Sequence, residues 1–140
     1  MRAKRVEFED DDGVLRRYSH HENGGGLVES TAVVHHTAYI DASAYVDPGA
    51  RVHAHAYVGP QAWIDRWAIV GERAVVGKDA HIGPGAVVGS RARVGDRARV
   101  GASARLDRRA EVAPDTVVPT GARVAPPTPG YRTSRFRTAA

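Results

Sequence analysis

Alanine stands at every sixth position from Ala32 to Ala122, broken only at Thr116, and an aliphatic residue follows two places after each one. That series runs Val34, Ile40, Val46, Val52, Val58, Ile64, Val70, Val76, Ile82, Val88, Val94, Val100, Leu106, Val112, Val118 and Val124, so sixteen six-residue units follow one another without a gap. A helix drifts off a strict six-residue register, whereas a short strand and a turn can repeat at that length and set equivalent residues above one another. The unit reads as Ala-x-Val on a strand, followed by a three-residue corner. Strand alternation turns the first and third side chains to one face and the middle one to the other. The repeat predicts an inner column of small and aliphatic residues and a variable outward position between them.

The residue after the aliphatic is glycine at Gly59, Gly71, Gly77, Gly83, Gly89, Gly95 and Gly101, and His or Asp at His35, Asp41, Asp47, His53, Asp65 and Asp107. These types tolerate positive φ best, which places the bend at that residue. Pro48, Pro60, Pro84 and Pro114 share the next position, where a fixed φ stiffens the corner.

With this spacing the chain resembles the hexapeptide-repeat family over residues 32–127. The resemblance implies an all-β fold, a left-handed parallel β-helix of triangular cross-section with three units per coil, here a little over five coils. It also implies homotrimers packed side by side about a threefold axis. The hand comes from the resemblance, because parallel crossovers are otherwise right-handed.

Residues 1–31 precede the repeat. Val6 and Phe8 alternate with charged residues, and Val14, Leu15 and Tyr18 follow Asp10-Asp11-Asp12-Gly13, which predicts a β-hairpin capping the exposed first coil. The segment Gly24-Gly25-Gly26-Leu27-Val28-Glu29-Ser30 resembles the Gly-Gly-aromatic-Val entry of a subset of hexapeptide proteins common in phage and bacterial genomes, with leucine in place of the aromatic. After Pro126 and Pro127, residues 128–140 read as a basic tail carrying Tyr131 and Phe136. A tail of this kind is a solvated end, or else an arm for an acidic surface such as Glu7, Glu9, Asp10, Asp11 and Asp12.

A chain of 140 residues with this repeat leaves room for one domain. No apolar run reaches membrane-span length and no signal-peptide stretch opens the chain, so a virion or the cytoplasm is the expected location, without a membrane partner. The absence of cysteine excludes disulfides, thiolate zinc sites and a cysteine nucleophile.

Sorting the outward middle residues by face gives three ladders. One reads Val33, Arg51, Ile69, Val87, Arg105, Arg123; the next Tyr39, Tyr57, Val75, Arg93, Glu111; the third Tyr45, Trp63, His81, Arg99, Val117. Apolar strips outside a closed core predict burial in an interface, with Tyr39, Tyr57, Val75, Tyr45, Trp63, Ile69 and Val87 as its residues. The later coils carry a basic girdle of Arg91, Arg93, Arg97, Arg99, Arg105, Arg108 and Arg109 against Asp96 and Asp107 alone. Arginines on a flat prism with no groove-entering element give no base readout, so specific nucleic-acid recognition is not expected. Gly77-Lys78 does not extend to a phosphate loop, since Glu72 and Asp79 occupy the positions that need glycine and Ser/Thr.

The family resemblance brings two chemistries to weigh. Many members are acyltransferases that use acetyl-CoA or an acyl carrier, with a histidine as general base between subunits and loops inserted in the coil to shape the acceptor pocket. His81 is the candidate base here, but the coil has no insertion. The γ-type carbonic anhydrases of the family bind zinc through one histidine and, two coils on, a pair separated by four residues. From His81 those positions hold Val117 and Ala122, and from His53 they hold Gly89 and Val94, so that site is missing. His35 and His53 lie one coil apart on the same corner, near His36 and His55, which makes them the metal candidates; a third ligand is not evident. Asp47 and Asp65 stack likewise. The leading expectation is a non-enzymatic homotrimeric structural or decorating module without a cofactor, docked on a larger assembly such as a phage capsid or other virion surface. The alternative is an acyltransferase using acetyl-CoA with His81 as base.

Overall fold

The computed structural model describes residues 5–9 and 13–127; Asp10, Asp11 and Asp12 of the expected hairpin turn and the basic tail, residues 128–140, lie outside the described residues. The chain is a left-handed β-helix of a little over five coils. Two-residue strands recur every six residues from Val33–Val34 to Arg123–Val124, and each pairs in parallel with the strand one coil away, as in Tyr57↔Val75 and Val75↔Arg93. Three sheets result, with eight, six and five strands. We call them the Trp63 face, the Ile69 face and the Tyr57 face.

The repeat places its side chains as the pleat requires. From Ala38 to Ala110 the alanines are buried, as are the aliphatics from Ile40 to Val118, forming one apolar column. Each fully buried Val or Ile contributes about 1.5–3 kcal/mol relative to exposure. Ala32, Val34, Ala122 and Val124 pack against the ends of the column and are only partly buried.

The corners bend differently from the sequence expectation. From Gly49 to Gly121 positive φ falls two residues after the glycine position, immediately before the alanine position, at Gln61 (φ 59), Arg73 (φ 60), Arg91 (φ 62) and their equivalents. Around Pro60 and Gln61 the Ala62 N–H donates to the Gly59 carbonyl at 3.2 Å, so the corner is a type II turn with proline at its second residue and the left-handed residue at its third. The left-handed residue is tied to the preceding coil by its own N–H, as in Arg91 N–H to the Glu72 carbonyl at 2.8 Å. The glycines serve close packing instead: a Cβ at Gly89 would lie 2.7 Å from the Arg108 backbone nitrogen of the next coil.

At the N-terminal end, β1 (Arg5–Glu9) and β2 (Leu15–His20) form an antiparallel hairpin, and β2 pairs with β3 (Leu27–Glu29), which joins the Trp63 face in parallel with Tyr45–Val46. The hairpin thus extends one sheet. Residues 23–26 cover the free edge of Tyr39–Ile40: the Gly26 N–H donates to the Ile40 carbonyl at 2.9 Å and the Ile40 N–H to the Asn23 carbonyl at 3.0 Å. A Cβ at Gly24 would meet the Ile40 carbonyl, so this crossing requires glycine. Among the described residues no helix is long and apolar enough to cross a membrane.

Candidate active site

The Trp63 face carries the densest chemistry. Parallel pairing sets Tyr45, Trp63, His81 and Arg99 in one outward column. Tyr45 and Trp63 stack with centroids 5.8 Å apart, and Trp63 and His81 stack at 4.1 Å with their planes 13° apart. Beside this column run two corner carboxylates, Asp47 and Asp65, two residues beyond Tyr45 and Trp63, so each meets the ring of the following coil. Trp63 Nε1 donates to Asp47 Oδ2 at 2.7 Å, and His81 Nε2 bonds Asp65 Oδ2 at 2.9 Å. Asp65 Oδ1 accepts the Arg66 N–H at 2.7 Å, which fixes the carboxylate. From the hairpin, the Tyr18 hydroxyl donates to Asp47 Oδ1 at 2.9 Å.

The two carboxylates differ in setting. Asp47 is 9% exposed, and burial raises its pKa above the usual carboxylate value against the opposing bonds from Trp63 and Tyr18, with the nearby Asp65 charge adding to the rise. Burial, followed by the charge of Asp47, pushes the Tyr18 phenol well above its ordinary value. Asp65 and His81 remain partly open, with side chains 14% and 22% exposed. Because a carboxylate only accepts, Nε2 is the donor in this bond, and in the neutral imidazole Nδ1 keeps its lone pair. Among the described residues Nδ1 has no hydrogen-bond partner. A histidine oriented by a carboxylate, with its other nitrogen reachable, can act as a general base.

The other candidates fall into separate settings. His35 stacks on His36 at 4.5 Å and its Nδ1 bonds the Thr37 hydroxyl at 2.8 Å. No group of three or more His, Asp or Glu placed to hold a metal occurs among the described residues. Tyr39 and Tyr57 stack at 5.2 Å, with Tyr57 and Tyr45 exposed and Ile69, Val75 and Val87 half-buried. The arginine girdle divides. Arg97 is paired with Asp115 at 2.7 Å, Arg99 follows His81 on the Trp63 face, and Arg91, Arg93 and Arg109 gather at the Tyr57 face; Arg105 and Arg108 are exposed elsewhere. On the Tyr57 face a groove of about 550 Å³ is lined by Val75, Gly77, Val94, Val112 and Pro114 among others.

Sequence reasoning singled out His81 and the stacked Asp47 and Asp65 but missed that they are bonded. The signal was a spacing of sixteen residues, which recurs in Trp63 with Asp47, His81 with Asp65, and Arg123 with Asp107.

Fold and repeat together define a parallel β-solenoid built from hexapeptide units. The profile of the Bacterial transferase hexapeptide (six repeats) family matches residues 55–90 and 73–108, and the repeat units it covers are of the hexapeptide-repeat family. Among solved structures it is similar to a histidine variant of perosamine N-acetyltransferase from Caulobacter crescentus in complex with CoA and GDP-perosamine. That match has 27% identity and a TM-score of 0.69, covering 73% of this chain and 49% of that one. PerB from the same organism, with CoA and GDP-perosamine, matches at 27% identity and TM-score 0.69, covering 74% of this chain and 50% of that one. The chain thus spans about half the length of these proteins. No curated protein sequence matches it.

These similarities overturn the leading expectation of a non-enzymatic decorating module on a capsid or virion surface, and with it the expectation of no cofactor, because the similar structures are acetyltransferases that hold CoA. That expectation rested on the missing coil insertion, whereas the His81–Asp65 pair is built from an outward and a corner residue of the coil itself.

Proposed function

We propose that the chain is the β-helix of a CoA-dependent acyltransferase of the hexapeptide class, acting as a homotrimer. The observation that carries this reading is the His81–Asp65 pair, 2.9 Å apart on an aromatic column and partly open. The similarity to N-acetyltransferases bound to CoA and an amino-sugar nucleotide supports it and makes an amine the preferred acceptor group.

The residues suit such a donor. The Tyr57-face groove has an apolar lining of Val75, Val94, Val112 and Pro114, suited to a pantetheine arm. When bound, acetyl-CoA supplies an activated acetyl thioester. His81 Nδ1 takes a proton from the acceptor amine as the amide C–N bond forms and the thioester C–S bond breaks. The imidazole then returns that proton to the leaving thiolate, so no proton is gained or lost overall. Asp65 holds the ring and favours its protonated form at the moment it carries charge. In a trimer, the Trp63 face of one protomer and the Tyr57 face of its neighbour supply base and groove, with Tyr39, Tyr57, Val75, Tyr45, Ile69 and Val87 as candidate interface residues.

The test is thiol release from acetyl-CoA with GDP-perosamine and a panel of amino sugars as acceptors. Turnover by the native chain that falls at least a hundredfold in His81→Ala is the expected result. Turnover unchanged in His81→Ala removes the assignment of the base, and no turnover with any acceptor removes the reading.

A further inference from the structure

The two ends of the solenoid differ. At the N-terminal end residues 23–26 cross the free edge of Tyr39–Ile40, and the hairpin continues the Trp63 face. At the other end all three sheets stop together, with Glu111–Val112, Val117–Val118 and Arg123–Val124 as their edge strands. Within the prism the outward residue and the first corner residue of each unit donate to the next coil, as Arg93 N–H to the Ala110 carbonyl at 2.9 Å and Gly95 N–H to the Val112 carbonyl at 2.8 Å. In the last coil the equivalent donors are the N–H groups of Glu111, Ala113, Val117, Arg123 and Ala125, and none has a partner among the described residues. Pro119, at the remaining place of this kind, has no N–H to offer.

The apolar column is open at the same end. The alanine positions are buried from Ala38 to Ala110, but Thr116 is exposed, Ala122 and Val124 are half-buried, and Val117 is 66% exposed. Unpaired strand N–H groups beside uncovered apolar surface are a template for a further segment of chain. Prisms packed side by side in a trimer leave their ends free, so the trimer does not supply that cover.

The segment leaving this end has the composition to supply it. Pro127 falls on the corner place that has positive φ from Gly49 to Gly121, which its ring forbids, so the chain turns off the coil path there. Beyond it, Tyr131 and Phe136 bring apolar rings, and Arg132, Arg135 and Arg137 complement the exposed Glu111 of the last coil, whose other acid, Asp115, is paired with Arg97. Residues 128–136 can reach about 30 Å, more than the six-residue side of a coil. Attachment at the edge itself gives this segment a high effective concentration there, which a separate copy lacks.

We propose that residues 128–137 fold back over the C-terminal end of their own protomer as its cap. Tyr131 and Phe136 lie on the open column, and carbonyls of the segment accept the free N–H groups of the last coil. The cap is independent of acyl transfer.

Amide hydrogen exchange of the native chain, read residue by residue by NMR, tests this. Glu111, Ala113, Val117, Arg123 and Ala125 are expected to exchange at least tenfold more slowly than unstructured amides. Tyr131→Ser together with Phe136→Ser is expected to remove that protection, while Gly77, bonded to the Val94 carbonyl inside the prism, stays protected. A chain ending at Pro127 is expected to match the double variant. Fast exchange at the five positions in the native chain overturns the cap, as does protection that survives in both variants. Protection that rises with protein concentration gives the end to a second copy and likewise overturns it.

Discussion

Trp63 has two separable contacts, and two substitutions divide them. Its ring lies 4.1 Å from His81 and its Nε1–H reaches Asp47 at 2.7 Å. Trp63→Phe keeps a ring and removes the donor, leaving a carboxylate oxygen of the buried Asp47 without its partner. A hydrogen bond to a charged group is worth about 1.5–3 kcal/mol, so the phenylalanine variant is expected to lose about 2 kcal/mol in urea unfolding, with kcat unchanged. Trp63→Leu removes the stack as well, and an aromatic pair adds about 0.5–1.5 kcal/mol beyond area. If that energy holds His81 in its reactive orientation, kcat falls about three- to tenfold while KM stays level, since 1.36 kcal/mol is tenfold in rate. A readout independent of turnover is the NMR position of the His81 ring protons, which the indole face shields in the native chain; they are expected to move downfield in Trp63→Leu. Equal kcat for both variants, or an unmoved His81 resonance in Trp63→Leu, refutes the idea that the stack positions the base.

Asp47 gives a pH prediction. Its pKa is raised in the folded state, so its contribution to stability is fully present below the ordinary carboxylate pKa and is lost as pH rises through the folded value. Asp47→Asn removes that titration, and the stability of the variant relative to the native chain is expected to increase between pH 3 and pH 7; a difference flat with pH contradicts the burial argument. Tyr57→Arg addresses assembly: with the Tyr57 face inside a trimer, analytical ultracentrifugation is expected to show monomer, and an unchanged trimer moves the interface to the other faces.

The inward half of this molecule was legible in the sequence because it depends on one-dimensional spacing. Alanine and the aliphatic two places later bury a column whatever the intervening residue is, and the face assignment of Tyr45, Trp63 and His81 follows from eighteen residues per coil. The corner was misread for a physical reason. Glycine answers two different demands, positive φ and close approach, and Gly89 meets the second while the left-handed position two places later is held by Arg91. Arg73 escaped the basic girdle because the girdle was drawn along the chain, whereas Arg73, Arg91 and Arg109 line one cleft along the axis, one arginine per coil.

The uninterrupted coil counted against catalysis only as long as a site was thought to need an inserted loop. A β-helix offers another route. An outward strand residue reaches the corner residue sixteen positions earlier, because one coil down and two residues on places the corner beside the ring of the coil above. In Arg123 with Asp107 that offset gives an exposed ion pair; in Trp63 with Asp47 it gives a buried anchor held from its other side by Tyr18. Only at His81 with Asp65 does it join a titratable nitrogen to a half-open carboxylate, above one ring and below Arg99. The repeat supplies the same offset at these three places, so residue choice at two positions decides which kind of contact forms. Moving the pair one coil back, with Trp63→His and His81→Val together, is therefore expected to rebuild the imidazole–carboxylate bond on Asp47 without placing a side chain at a corner glycine such as Gly83, whose Cβ would lie 2.6 Å from the Val100 carbonyl oxygen.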